Sequence, residues 1–150
     1  MDLYSRKIIS WVLSETLEAS HVVKCIEKAK QSRHIENPLI FHCDRGCQYV
    51  SEAFHKATEG MIHSYSKKAY PWDNACIESF HALLKREWIN RFKIFNYTHA
   101  YKLIFEYIET FYNTVRIHSH CGYLSPNEYE EQYLKNSGND CNKLSKLTIT

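Results

Sequence analysis

Two carboxylates give this 150-residue sequence its first chemical reading. Asp44 directly follows "LIFHC", a short apolar run with strand composition. Glu78 lies in "DNACIESFHALLKREWIN", where Ile77, Phe80, Leu84 and Trp88 recur at steps of three and four and form one apolar stripe. Asn74, Glu78 and Lys85 fall on another face of that helix. An acid at the carboxyl end of a short buried strand stands at the edge where open α/β sheets hold ligands. Two carboxylates brought together repel unless a cation or a proton intervenes. Oxygen donors suit Mg²⁺ or Mn²⁺, which leave positions open for phosphate oxygens. An exposed helical Glu is also an ordinary solvated residue, and spacing alone does not separate the two readings.

The elements that must position these acids follow from local pattern. Residues 6–14, "RKIISWVLS", are β-branched and aromatic and predict a strand. Over residues 14–33, Leu17, Val22, Val23, Ile26 and Ala29 recur near helical spacing. "LIFHC" predicts the next strand. Residues 51–60 begin with Ser51 as an N-cap and end at Gly60, which marks a short helix. "MIHSYS" is a further strand, and "KKAYPW" a loop fixed by Pro71. Residues 73–90 form the helix of Glu78, with Asp73 as its expected cap. Residues 98–117 form a second long amphipathic helix. Ser125 and Pro126 open a third, at the cap and the first helical position. The tail is polar and aperiodic, and is expected to fray. Alternating strands and helices predict an α/β fold with parallel pairing.

Composition sets the limits. Hydrophobic residues make up 44% of the chain, enough for a real core and too many for wholesale disorder. A net charge of +2 is too small to argue nucleic-acid binding, so local clusters must carry that case. Eleven tyrosines suit a surface that meets a polymer or a partner. The N-terminal "MDLYSRKIISW" does not read as a secretory leader. No run approaches the roughly 18 apolar residues of a membrane span. A cytoplasmic protein with six reduced cysteines and no membrane partner is therefore expected. Cys43-x3-Cys47 could be one arm of a zinc site, but no second arm follows at finger spacing.

Longer words sharpen the reading. "HCDRGCQYVSEAF", "SYSKKAYPWDNACIESFHALLKREW" and "YNTVRIHSHCGYLSPNEYE" resemble bacterial insertion-sequence transposases with a retroviral-integrase-like catalytic core. The resemblance runs from about Asp2 to Tyr133. It implies an α/β, ribonuclease H-like core over residues 1–133 with additional C-terminal helices, followed by a polar tail at 134–150. It also implies an Asp-Asp-Glu triad. Asp44 in "HCDRG" matches the second Asp, and Glu78 in "DNACIESF" the Glu. The first Asp of the pattern falls upstream of "DLYSR", and Asp2 matches the acid of that turn, not the catalytic one. The chain is thus expected to lack the first two strands of the core, to carry two of three ligands for a two-metal Mg²⁺ or Mn²⁺ site, to be inactive alone, and to be aggregation-prone, partly molten or dependent on a partner. Cys43 and Cys47 stand where small Ser residues are common in the family.

The implied reaction is nicking and strand transfer of DNA, at element ends and target, in a bacterial, nucleoid-associated setting. Lys67, Lys68, Lys85, Arg86 and Arg116 are the expected DNA contacts, since cations near the acids would neutralise phosphates, and Asn74 is either a further DNA contact or a hydrogen bonder at the helix start. Tyr112, Asn113, Arg116 and His118 are expected to form a structural and phosphate-contacting turn. Further partners would be full-length transposase or a second copy of the chain. The rival reading is a non-catalytic fragment that binds DNA or transposase and modulates transposition, or an inert remnant of an element.

Overall fold

The computed structural model describes residues 1–33, 38–67, 71–137 and 148–149. It separates into two units. The first holds residues 1–4 and 8–74 with the last strand; the second holds residues 5–7 with the helices beyond residue 74.

In the first unit, α1 (Ala19–Ser32), β1 (Ile40–Cys43), α2 (Glu52–Ala57) and β2 (Ile62–Tyr65) follow in order. β1 and β2 pair in parallel, from Ile40 opposite Ile62 to Cys43 opposite Tyr65. β3 (Thr148–Ile149) pairs in parallel with the other edge of β1, so the order is β2-β1-β3. The tail expected to fray thus ends in a short strand. β1 alternates: Phe41 and Cys43 are buried while Ile40 is exposed. The strand expected to be buried is thus buried at alternate residues. Phe41 and Cys43 pack with Ile26 of α1 and Phe54 of α2, and Phe41 and Tyr49 meet the Phe54 ring edge-on at 5.6 and 5.5 Å. Ser51 caps α2 by accepting from the Phe54 amide at 3.2 Å, and Gly60 closes that turn with φ +82°, where a side chain is strained.

Two expectations fail here. Residues 6–14 form no strand. Their side chains favour extension, but a strand needs a ladder partner, and none pairs with them among the described residues. Ser10 instead donates to the Cys25 carbonyl of α1 at 2.8 Å, and Ile8 is buried. The first helix starts at Ala19 rather than at Ser14, leaving Leu17 exposed and outside its apolar stripe.

The second unit is built on α3 (Ala75–Glu87), α4 (Tyr97–Phe105), a π-helical segment (Glu106–Tyr112) and α5 (Pro126–Ser137). Phe80 is the buried member of the α3 stripe. It meets Tyr112 edge-on at 4.9 Å and lies 6.5 Å from Tyr107. The helix expected over residues 98–117 widens at Glu106: the Asn113 amide reaches back five residues to Ile108 at 3.1 Å. The wider turn directs Tyr107, Ile108 and Tyr112 inward together. α5 starts on a reciprocal cap. The Ser125 amide and hydroxyl both donate to Glu128 Oε2, at 2.8 and 2.7 Å. Ser5 and Lys7 tie the N-terminal segment to Glu130 of α5 at 2.8 and 3.1 Å.

Candidate metal and nucleic-acid site

Asp44 is the residue that follows β1, the middle strand of the sheet, and its side chain is exposed. Its Oδ1 accepts the Gly46 amide at 2.8 Å. That turn fixes the carboxylate at the strand end and leaves acceptor capacity on both oxygens. Behind it, His42 holds the hydroxyls of Ser64 and Ser66 at 2.9 and 3.1 Å. Arg45 donates from Nε to the Ser66 carbonyl at 3.3 Å. The strand end is therefore pinned to β2 on both sides of Asp44. Cys43 is a buried thiol pushed up to about 11, first by burial and then by the Asp44 charge, so it stays protonated and unreactive at neutral pH.

Glu78 lies in the first turn of α3 and is exposed. Both acids are hard oxygen donors facing solvent, and they fit Mg²⁺ or Mn²⁺ in donor type. They belong to different units. Among the described residues no group of three or more His, Cys, Asp or Glu is gathered as a metal site. Asp2 is accounted for otherwise. It is 1% exposed, its Oδ1 accepts the Tyr4 amide at 2.8 Å, and its Oδ2 lies 3.5 Å from Arg33. This acid builds a turn.

The expected DNA contacts have different fates. Lys85 and Arg86 are exposed in the last turn of α3. Lys67 is exposed after β2, and its amide donates to Asp73 Oδ2 at 2.9 Å. Asp73 was the expected cap of α3. It lies instead within a 3-10 turn (Pro71–Asn74), and α3 begins at Ala75. Asn74 ends that turn, half-buried. Lys68 falls outside the described residues, as do Cys141 and the Cys47 side chain. Arg116 is committed within its own unit: Nε and Nη2 each donate to Glu87 at 2.8 Å, and Nη1 donates to the Ile117 carbonyl at 3.3 Å. His118 lies beside it, with Nδ1 3.5 Å from Arg116 Nη1. Burial, and then the Arg116 cation, push its imidazole down to about 4, so it is neutral at physiological pH.

Sequence reading missed two features. The first is Glu87, which anchors Arg116 and the Tyr107 hydroxyl, the latter donating to it at 2.8 Å. Only tertiary packing brings these residues together. The second is Arg6, which adopts a left-handed φ of 62° and sets its guanidinium against the Cys76 thiol and, at 3.4 Å, the His120 ring. No local signal marks that non-glycine strain.

Two models described as integrase core domain match the chain, over residues 1–71 and 59–126. The chain is 40% identical over 133 residues to the transposase for insertion sequence element IS904 of Lactococcus lactis, a match spanning 87% of this chain and 53% of that protein. It is 35% identical over 134 residues to an uncharacterized 31 kDa protein of insertion element IS600 from Shigella sonnei, spanning 88% and 49%. It is 35% identical over 136 residues to transposase InsF for insertion sequence IS3A of Escherichia coli, spanning 89% and 47%. The chain spans about half the length of the curated relatives it matches. None of the helices among the described residues is long and apolar enough to cross a membrane.

Proposed function

Since the chain belongs to the integrase core domain family of bacterial insertion-sequence transposases, we propose that it supplies part of a catalytic core for metal-dependent DNA cleavage and strand transfer. The reading rests chiefly on Asp44, a solvent-facing carboxylate fixed at the carboxyl end of the central parallel strand. Asp44 and Glu78 would hold the metal, within a ribonuclease H-like arrangement whose first two strands are not among the elements described. Bound Mg²⁺ or Mn²⁺ would supply Lewis-acid activation of a water or 3′-hydroxyl nucleophile and neutralise charge on the phosphate.

The chain's own groups do the rest. The Gly46 amide orients Asp44, and α3 presents Glu78 from its first turn. Lys67, Lys85 and Arg86 pair with phosphates of element-end and target DNA, and Asn74, just before α3, is a further contact. Arg116 positions its turn through Glu87 and offers phosphates only the edge that Glu87 leaves open. His118 takes no proton from the nucleophile, because burial and the Arg116 cation push its imidazole down to about 4 and make it a poor base. With two ligands named and Asp2 tied to Tyr4 and Arg33, the 150-residue chain alone is expected to be inactive. A non-catalytic role in binding DNA or a longer transposase is the second reading, favoured by that same use of Asp2.

Single-turnover cleavage and strand transfer on donor-end DNA with Mn²⁺ tests the proposal. The 150-residue chain, the chain extended upstream, and the extended Glu78→Gln variant are compared. Activity in the extended chain alone, lost on Glu78→Gln, is the expected result. Full activity in Glu78→Gln would sink the ligand assignment. Inactivity of the extended wild type with retained DNA binding would favour the modulator reading.

A further inference from the structure

We propose that the segment leading from the end of α3 into α4 is a stacking surface for single-stranded DNA. The inference rests on the DNA reading above and narrows it to unpaired strand. From Trp88 to Phe105 the sequence holds no Asp or Glu, yet it holds Arg91, Lys93 and Lys102. The same segment exposes Phe92, Ile94, Phe95, Tyr97, Tyr101 and Phe105, with Phe95 at 73%. Tyr97, Tyr101 and Phe105 recur every four residues and form one ridge along α4. Exposed rings in such number mark an interaction site rather than ordinary surface.

The rings are already arranged. Tyr97 and Tyr101 lie 6.4 Å apart, inclined by 30°. Phe95 lies nearly parallel to His99, at 5.4 Å and 14°. Lys93 places its ammonium 6.0 Å from the Phe95 centroid. Asn96 holds the entry to α4 by accepting the His99 amide at 2.9 Å. Flat apolar plates with interleaved cations match what an unpaired strand offers, which is free base faces on a polyanionic backbone. In a duplex the base faces are already stacked on one another. A second copy fits less well: a two-fold pairing of this patch would set three cations against the same three, with no acid in the segment to answer them.

The test uses the whole 150-residue protein without metal. Fluorescence anisotropy compares a labelled thymidine oligomer of about 15 nucleotides, within the site size of such grooves, with a duplex of equal length across a salt series. Wild type is expected to prefer the single strand. Phe95→Ala and Tyr101→Ala should each weaken single-strand binding roughly five- to 150-fold, the range for loss of one base–ring stack, and leave duplex binding unchanged. Phe95→Tyr should retain affinity. Lys93→Ala should lower the single-strand salt slope by about 0.7.

No preference for single strand in the wild type overturns the proposal, and that comparison needs no variant. Equal losses on both substrates, or no loss, overturn it too. A dimer by ultracentrifugation that Phe95→Ala dissolves, with single-strand binding intact, would make the patch a contact between copies. Failed cleavage by the chain extended upstream, with ring-dependent binding, sinks only the metal reading, and metal-dependent cleavage by that chain with ring-independent binding sinks only this one.

Discussion

Arg116 grips Glu87 through two parallel N–H···O bonds of 2.8 Å, Nε to Oε2 and Nη2 to Oε1, and so joins the end of α3 to the turn beyond the π-helical segment. The Tyr107 hydroxyl donates to the same Oε2 at 2.8 Å. A forked guanidinium–carboxylate pair is among the stronger polar contacts available to a protein, and this one is only about a fifth exposed on either side chain.

Loss of the fork should therefore be felt in stability. Arg116→Ala is expected to cost about 2 kcal/mol, the order of a charge-assisted hydrogen bond lost from a shielded site. Arg116→Lys should not restore it, because an ammonium cannot supply two parallel donors. Urea unfolding reads the effect as a lower midpoint at constant slope. Wild-type midpoints in both variants would mean that the fork is idle.

Acid should destabilise the same corner. The Glu87 carboxyl is held below its usual range, first by the Arg116 bond, against an opposing effect of burial. Its stabilisation is present above the unfolded carboxyl value and is lost as pH falls through the lower folded value. His118 acts earlier. Folded, it titrates near 4; unfolded, near 6.5, so the unfolded state binds more protons between those values. Stability should fall as pH drops from 6.5 towards 4. His118→Gln should flatten that part of the profile in thermal melts, and an unchanged slope would show that His118 takes no part.

The start of α5 depends on one serine. Ser125 is fully buried and trades bonds with Glu128 in both directions, the Glu128 amide returning one to its hydroxyl at 3.4 Å. Ser125→Ala is expected to cost about 1 kcal/mol, and Ser125→Thr much less. Equal melting of the two variants would contradict the capping role.

In the first unit Phe54 is the residue to remove. It is buried on all sides, with Phe41, Tyr49 and Ile26 around it. Phe54→Ala should cost about 3–5 kcal/mol. Amide exchange should rise through α1, β1 and α2, since these elements share that ring. Protection left unchanged there would mean that the unit is held elsewhere.

Duplex binding should report the exposed cations. Lys85→Ala and Arg86→Ala should each weaken binding at all sequences alike and lower the salt slope by about 1. Sequence-dependent losses would point to base readout instead.

The sequence alone determined the local elements around the two acids. The apolar run ending at Asp44 became β1, Ser51 and Gly60 bounded α2, the four-residue stripe buried Phe80, and Ser125 with Pro126 opened α5. Each rests on interactions within a few residues, so each is written locally. It also carried the words that resemble the integrase core and, with them, the choice of Asp44 and Glu78. What the tertiary structure decided are the matters of partnership. Residues 6–14 have strand composition but no ladder partner among the described residues, and they take no regular secondary structure. The polar tail has no strand pattern, yet Thr148 and Ile149 take an edge of β1 because its backbone groups need partners. Glu87, Tyr107, Arg116 and His118 lie up to about thirty residues apart, and only the packing of α3 against the π-helical turn makes them one network. A pattern in sequence fixes which face a residue occupies; what that face meets is set by elements far away along the chain.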